Sequence, residues 1–238
     1  MNHMTKYCRL ILTVVALGAL MCACKSNKEE TVLSYPDGTP RLVYIMKDNG
    51  NDREIVGEKS YYENGNIRWE KHFRDGRRDG RWRYYYASGQ LFGEGLFDAA
   101  HQLGRNWAFY RADGSGYCDE GCDSVVVNEF SENDFLPSAI ACCKGNAKKV
   151  YMFYEDFSKR YEGETVDGLR EGHCTFFFPN GVTQTEAIYA DGELNGVYIV
   201  YRENGTPYYR GVYINGKRAA VWEFYDEEGN LVNTKDFQ

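Results

Sequence analysis

Histidine is scarce in this chain, with 4 in 238 residues. His3 lies in a removable leader, His72 and His101 fall at surface strand or turn positions, and His173 neighbours a cysteine. No Ser-His-Asp order, no H-E-x-x-H and no phosphate-binding glycine loop occurs. The usual residues of hydrolytic, zinc-dependent and nucleotide-dependent catalysis are therefore not at hand, and no cofactor or metal is expected. Basic residues are also short, 28 Lys and Arg against 35 Asp and Glu. A surface of that sign gains nothing from releasing phosphate counterions, so nucleic acid is not an expected partner. Long apolar runs are missing too: Leu10 to Ala23 is shorter than the roughly 20 residues of a membrane-spanning helix.

That short run has another use. Lys6 and Arg9 precede it and no charge interrupts it, which is the order of a secretory leader. It ends in Ala23-Cys24-Lys25, which resembles the lipobox of bacterial lipoproteins, with Met21 where leucine is usual. The resemblance implies a leader over residues 1–23, lipidation of Cys24 and an outer-membrane location, on the periplasmic or the surface side. Cys22 is the competing lipidation site. Residues 24–34 are polar and suit a tether, and Lys28-Glu29-Glu30 within them resembles a surface-export signal. Losing the leader removes Lys6 and Arg9 and moves the formal charge from −7 to −9. Membrane contact is then expected through the lipid alone.

What the chain has in quantity is glycine at fixed spacing. Gly65 and Gly89 are 24 apart, Gly114 follows, and Gly181, Gly205 and Gly229 step by 24 again. Gly168, Gly192 and Gly216 form a second column with Gly76 in the matching early place. Tyr61, Tyr85, Tyr110, Phe177, Tyr201 and Tyr225 precede the first column by four, and Phe73, Phe97, Tyr189, Tyr213 and Phe237 follow it by eight. Such alignment defines a repeat. Asn-Gly and Asp-Gly pairs favour the positive φ of tight hairpin turns. Turns 11 and 13 residues apart leave strand-length segments and no room for a crossover, so successive strands must be antiparallel neighbours. The expected fold is all-β, an extended antiparallel meander of β-hairpin repeats with a period of about 24 residues. Gly95, Gly163, Ala187 and Gly211, two residues before the aromatic column, are expected to lie under a neighbouring ring. Cys174 falls in a core column and reads as a buried thiol.

The pattern [YF]-x-x-x-G, then Y-x-x-G-x-x-x-G and an aromatic, resembles the MORN-variant repeat of bacterial proteins. Its clearest copies begin at Tyr189 (Gly192, Gly196) and Phe73 (Gly76, Gly80). The resemblance implies an extended sheet and an interaction role. Such bacterial proteins are sometimes called antitoxin-like, a label that a lipoprotein leader suits badly.

Residues 35–114 and 154–238 form two repeat blocks, and 115–153 reads as an insertion holding Cys118, Cys122, Cys142 and Cys143. Spacings of three and zero residues do not match paired C-x-x-C zinc knuckles. In an exported protein these four are candidates for one or two disulfides, with three pairings open. Val125 to Val127 reads as strand, and Ser131 to Asp134 as the start of a short helix reaching Cys143. The runs Tyr84-Tyr85-Tyr86 and Phe176-Phe177-Phe178 place rings on both faces of a strand. Tyr84, Tyr86 and Tyr208 are the candidate ligand-facing aromatics. The expected function is a non-catalytic, lipid-anchored envelope scaffold for a protein partner. The alternative is a glycan-binding lipoprotein that stacks sugars on those rings.

Overall fold

The computed structural model describes residues 27–50, 52–100, 104–118, 122–132 and 134–238. Among them there is no helix. The first antiparallel sheet contains β1 (Lys28–Ser34), β2 (Pro40–Asn49), β3 (Asp52–Tyr61), β4 (Ile67–Arg74), β5 (Arg77–Arg78), β6 (Gly80–Tyr85), β7 (Leu91–Phe97) and β8 (Arg105–Phe109). The second contains β9 (Ser124–Phe130), β10 (Pro137–Lys144), β11 (Ala147–Phe153), β12 (Lys159–Val166), β13 (Leu169–Phe177), β14 (Thr183–Ala190), β15 (Glu193–Tyr201), β16 (Pro207–Ile214), β17 (Lys217–Tyr225) and β18 (Leu231–Phe237). Each sheet follows chain order, the small β5 aside, so the meander of hairpins holds.

Two kinds of turn alternate. At Asp75-Gly76, Asp167-Gly168, Asp191-Gly192 and Asn215-Gly216 both residues have positive φ (48° and 74° in the last), the two-residue hairpin geometry. At Asn204-Gly205 only the glycine does. There Gly205 N donates to Arg202 O at 2.9 Å, and Asn204 Oδ1 accepts from Thr206 N at 3.0 Å. The asparagine acts through its side chain instead of its φ. The 24-residue glycine column also contains a position that is not glycine: Phe157, at φ 66°, stands 24 before Gly181.

Three findings add to or correct these expectations. First, the meander is divided between two sheets, which pack face to face around a shared aromatic core. Trp82, Tyr84, Phe92, Phe97, Trp107 and Phe109 from the first sheet meet Ile140, Tyr151, Phe153 and Phe157 from the second. Second, the segment from Ser131 is not a helix. Ser131 N and Leu136 O close a loop at 2.8 Å, and Pro137 opens β10, a strand start where a missing N–H is tolerated. Ile140 and Cys142 face the shared core while Ala141 faces Val150, Tyr161 and Cys174 on the other side. With both faces covered, the strand shows no polar alternation. Val125 to Val127 is strand as expected, and β9–β11 extend the second sheet in place of an irregular insertion. Third, the tether is already strand from Lys28. Glu29 accepts from Lys59 Nζ at 2.8 Å, and Glu30 pairs with Arg53.

Candidate functional site

The repeat's small-then-aromatic register builds a ring-bearing face in each sheet. A Cβ on Gly95 would stand 2.5 Å from the Trp107 ring, and one on Gly211 would stand 2.2 Å from Trp222. Gly163 lies against Tyr161 and Cys174, whose thiol is fully buried 3.2 Å from the Tyr161 hydroxyl. Ala187 is likewise fully buried. Gly95 and Gly211 let a ring of the adjacent strand lie against the backbone.

In the first sheet this face is sealed by the chain itself. Phe92 is the extra residue of a bulge, skipped between the pairs Tyr84–Gly93 and Tyr85–Leu91. It is fully buried, stacked on Phe157 at 4.4 Å between ring centroids and edge-on to Phe153 at 4.8 Å. Phe135, at φ 51°, stacks on Phe130 at 4.2 Å and lies beneath Arg78. Two phenylalanines in the left-handed region, each at the seam, mark where backbone strain is offset by inter-sheet packing. Polar bonds close the seam. Tyr84 donates to Phe135 O at 2.9 Å and Arg68 to Glu155 O at 3.0 Å.

In the second sheet the same face carries Tyr198, Tyr209, Tyr213, Trp222 and Phe237, packed on one another. Among the described residues no second layer covers it. Cations lie on its rings instead, Arg218 4.5 Å from Trp222 and Arg170 5.3 Å from Tyr189. Tyr208, three residues after Gly205 as Phe92 is after Gly89, is skipped in the same bulge between Tyr201–Pro207 and Val200–Tyr209. It is 51% exposed, with Arg202 over its ring at 4.7 Å. The opposite face mixes polar and apolar residues: Tyr201 donates to Glu186 at 3.1 Å and Arg210 pairs with Glu223, while Val197 and Val221 are exposed beside them.

The ligand-facing assignments divide accordingly. Tyr208 faces solvent. Tyr84 does not: it is fully buried, and burial holds its phenol pKa well above the ordinary value. Tyr86 is half-buried edge-on to Phe92, and its hydroxyl donates to Tyr110 O at 2.9 Å. Alternation set these two rings on one face correctly, but that face meets the second sheet. Tyr86 belongs to a clasp absent from the sequence reading. Tyr35 donates to Tyr61 O, Tyr62 to Tyr85 O and Tyr154 to Phe177 O, all at 2.7 Å, and Arg202 donates to Tyr225 O at 2.7 Å. Each side chain stands three before its turn residue and grips the next repeat's backbone. The signal was available, since Tyr62, Tyr86 and Arg202 each follow the aromatic column by one.

Lys71 was also missed, a cation in an otherwise apolar row of β4. It is 3% exposed, 3.0 Å from Glu58, donates to Asp134 O across the seam, and lies over Trp69. Burial lowers its pKa, and Glu58 opposes that shift.

Cys118 and Cys142 form a disulfide, which joins the end of the first sheet to β10. Cys122 is a free thiol whose sulfur lies within 4.8 Å of both, and it donates to Ser124 O at 2.9 Å. Cys143 is also free but packs with the opposite face of β10. Cys24 and Cys22 lie outside the described residues.

This architecture is that of a β-hairpin repeat protein with two sheets, in which the second sheet covers the repeat face of the first. Residues 58–75, 78–99 and 170–191 match the family described as MORN repeat variant, so repeats of that kind lie in both sheets. No curated protein matches the chain. Among similar solved structures is the S. aureus TarM mutant in complex with fondaparinux, α-GlcNAc-glycerol and UDP. The identity is 14% and the TM-score 0.29, over 42% of this chain and 22% of that one. The chain thus spans about a fifth of that protein's length, and a likeness so slight carries no functional meaning.

Proposed function

We propose that this protein is a non-catalytic repeat scaffold, lipid-anchored through Cys24 in the bacterial outer membrane, that binds a protein partner on the ring-bearing face of β12–β18. One observation carries the reading. The first sheet's copy of this face is sealed by a β-layer bearing Phe135, Phe153 and Phe157, while among the described residues no layer lies over the second sheet's copy, where neighbouring side chains bury Trp222 and Tyr208 is exposed. The chain therefore contains its own example of what the face accepts: an apolar layer that inserts phenylalanines against the bulge position. Tyr208 is the open counterpart of the buried Phe92 and the expected anchor, an aromatic of the kind that concentrates binding energy. Repeats matching the MORN variant support the scaffold role. The glycan alternative loses its platform with Tyr84 and Tyr86 turned inward. A photo-crosslinking amino acid at position 208 should trap one discrete protein in intact cells, and the same group at Glu186 on the opposite face should not. Equal adducts at both positions would refute the assignment of the face.

A further inference from the structure

We propose that Cys118, Cys122 and Cys142 form a thiol–disulfide exchange centre, in which Cys122 can displace Cys118 and move the disulfide from between the sheets to within the second sheet. Three sulfurs share one site, each within 4.8 Å of the others, so one disulfide always leaves a thiol beside it. Topology puts all three on one side. Cys142 projects from β10 into the shared core, and Cys118 and Cys122 pack against that same core. Cys143, the next residue, faces the other side of the strand and takes no part. Cys122 is positioned rather than loose. Asp123 N donates to Cys143 O at 2.8 Å, and the Cys122 thiol donates to Ser124 O and Cys143 O, which holds it one strand away from Cys142.

The step balances within the chain. Cys122 loses its proton to solvent, and its thiolate attacks Cys142 Sγ. The Cys122–Cys142 bond forms as the Cys118–Cys142 bond breaks. The electron pair departs on Cys118 Sγ, which takes up a proton. No net oxidation occurs, so no oxidant or reductant is consumed. Attack at Cys142 is favoured over attack at Cys118 by the leaving group. Cys118 is partly exposed and its departing thiolate can be hydrated, whereas Cys142 is 8% exposed and would be expelled into apolar surroundings.

The consequence is structural. The Cys118–Cys142 bond ties the hairpin that ends the first sheet to the second sheet; a Cys122–Cys142 bond lies wholly beside β9 and β10. Exchange would leave Tyr117, now 5% exposed and accepting from Tyr151 at 3.2 Å, without its covalent tie. The centre would set how firmly the two sheets are joined without any change in redox state.

Acid-quenched mapping tests this on the full chain carrying Cys143→Ser. Free thiols are alkylated, and a protease that cuts before Asp119 and Asp123 separates Cys118 from Cys122. The expected result is two linked species, Cys118–Cys142 in the majority and Cys122–Cys142 in at least one molecule in ten. In Cys118→Ser on the same background, a Cys122–Cys142 bond should form in most molecules. Exclusive Cys118–Cys142 linkage, with Cys122 fully alkylated, overturns the proposal whether or not the Cys118→Ser variant folds. So does a folded Cys118→Ser chain with both remaining thiols alkylated.

Discussion

Phe92 and Tyr208 occupy one repeat position in two settings, and truncating each measures what the covering layer is worth. Phe92→Ala removes a fully buried ring stacked on Phe157 and edge-on to Phe153. Buried Phe→Ala changes cost about 3–5 kcal/mol through lost transfer energy and a residual cavity. The paired rings place this site toward the upper part of that range. Tyr208→Ala removes a ring that is 51% exposed, and substitutions of that kind fall within about 1 kcal/mol. The expected gap is therefore about 3 kcal/mol. Urea unfolding followed by circular dichroism gives both values, and hydrogen exchange locates the damage. Phe92→Ala should lose protection in both β6–β8 and β10–β11, because the core is shared, while β15–β18 keep theirs, since repeat contacts are mostly with neighbours. A Phe92→Ala cost below about 1 kcal/mol, or loss confined to the first sheet, would refute the face-to-face packing.

Phe157 sits at φ 66° where other repeats have glycine, so its strain and its packing can be separated. Phe157→Gly and Phe157→Ala should both destabilise by several kcal/mol, but the glycine variant should be the more stable by about 1 kcal/mol, the reverse of the ordinary order. An alanine variant equal to or better than glycine in urea unfolding would contradict this. Burial pushes the phenols of Tyr62, Tyr85 and Tyr198 up to about 12. The folded state thus keeps protons that the unfolded chain gives up near pH 10. Stability present below about pH 10 should be lost as pH rises toward about 12. Tyrosinate absorbance and far-ultraviolet dichroism should change together there; ionisation finished near pH 10 with the fold intact would contradict it. Cys24→Ala should abolish fatty-acid labelling and release the protein from membranes, and persistent labelling would point to Cys22.

Much of the fold was legible because turn chemistry is local. Gly65, Gly76, Gly205 and Gly216 reveal hairpins by spacing alone, and Gly95 and Gly211 reveal the rings above them. What stayed hidden depends on distant partners. Nothing near Gly89 or Gly205 says that Phe92 is covered and Tyr208 is not. The covering strand β10 is buried on both faces, so Ile140-Ala141-Cys142-Cys143 lacks the alternation that identifies a strand, and the polar Ser131 to Asp134 before it resembles a helix cap. Phe157 concealed a repeat because a side chain replaced the expected glycine. Lys71 looked like an error in an apolar row until Glu58 and Asp134 supplied its partners.

The scaffold reading turns on whether the open face of the second sheet binds. The partner trapped at position 208 should be purified and its affinity measured for three proteins: wild type, Tyr208→Ala and Glu186→Gln. Loss of a central aromatic anchor costs about 2 kcal/mol or more, so Tyr208→Ala should bind at least tenfold more weakly while Glu186→Gln binds as wild type. Equal affinity for all three, or weakening only in Glu186→Gln, would contradict the account.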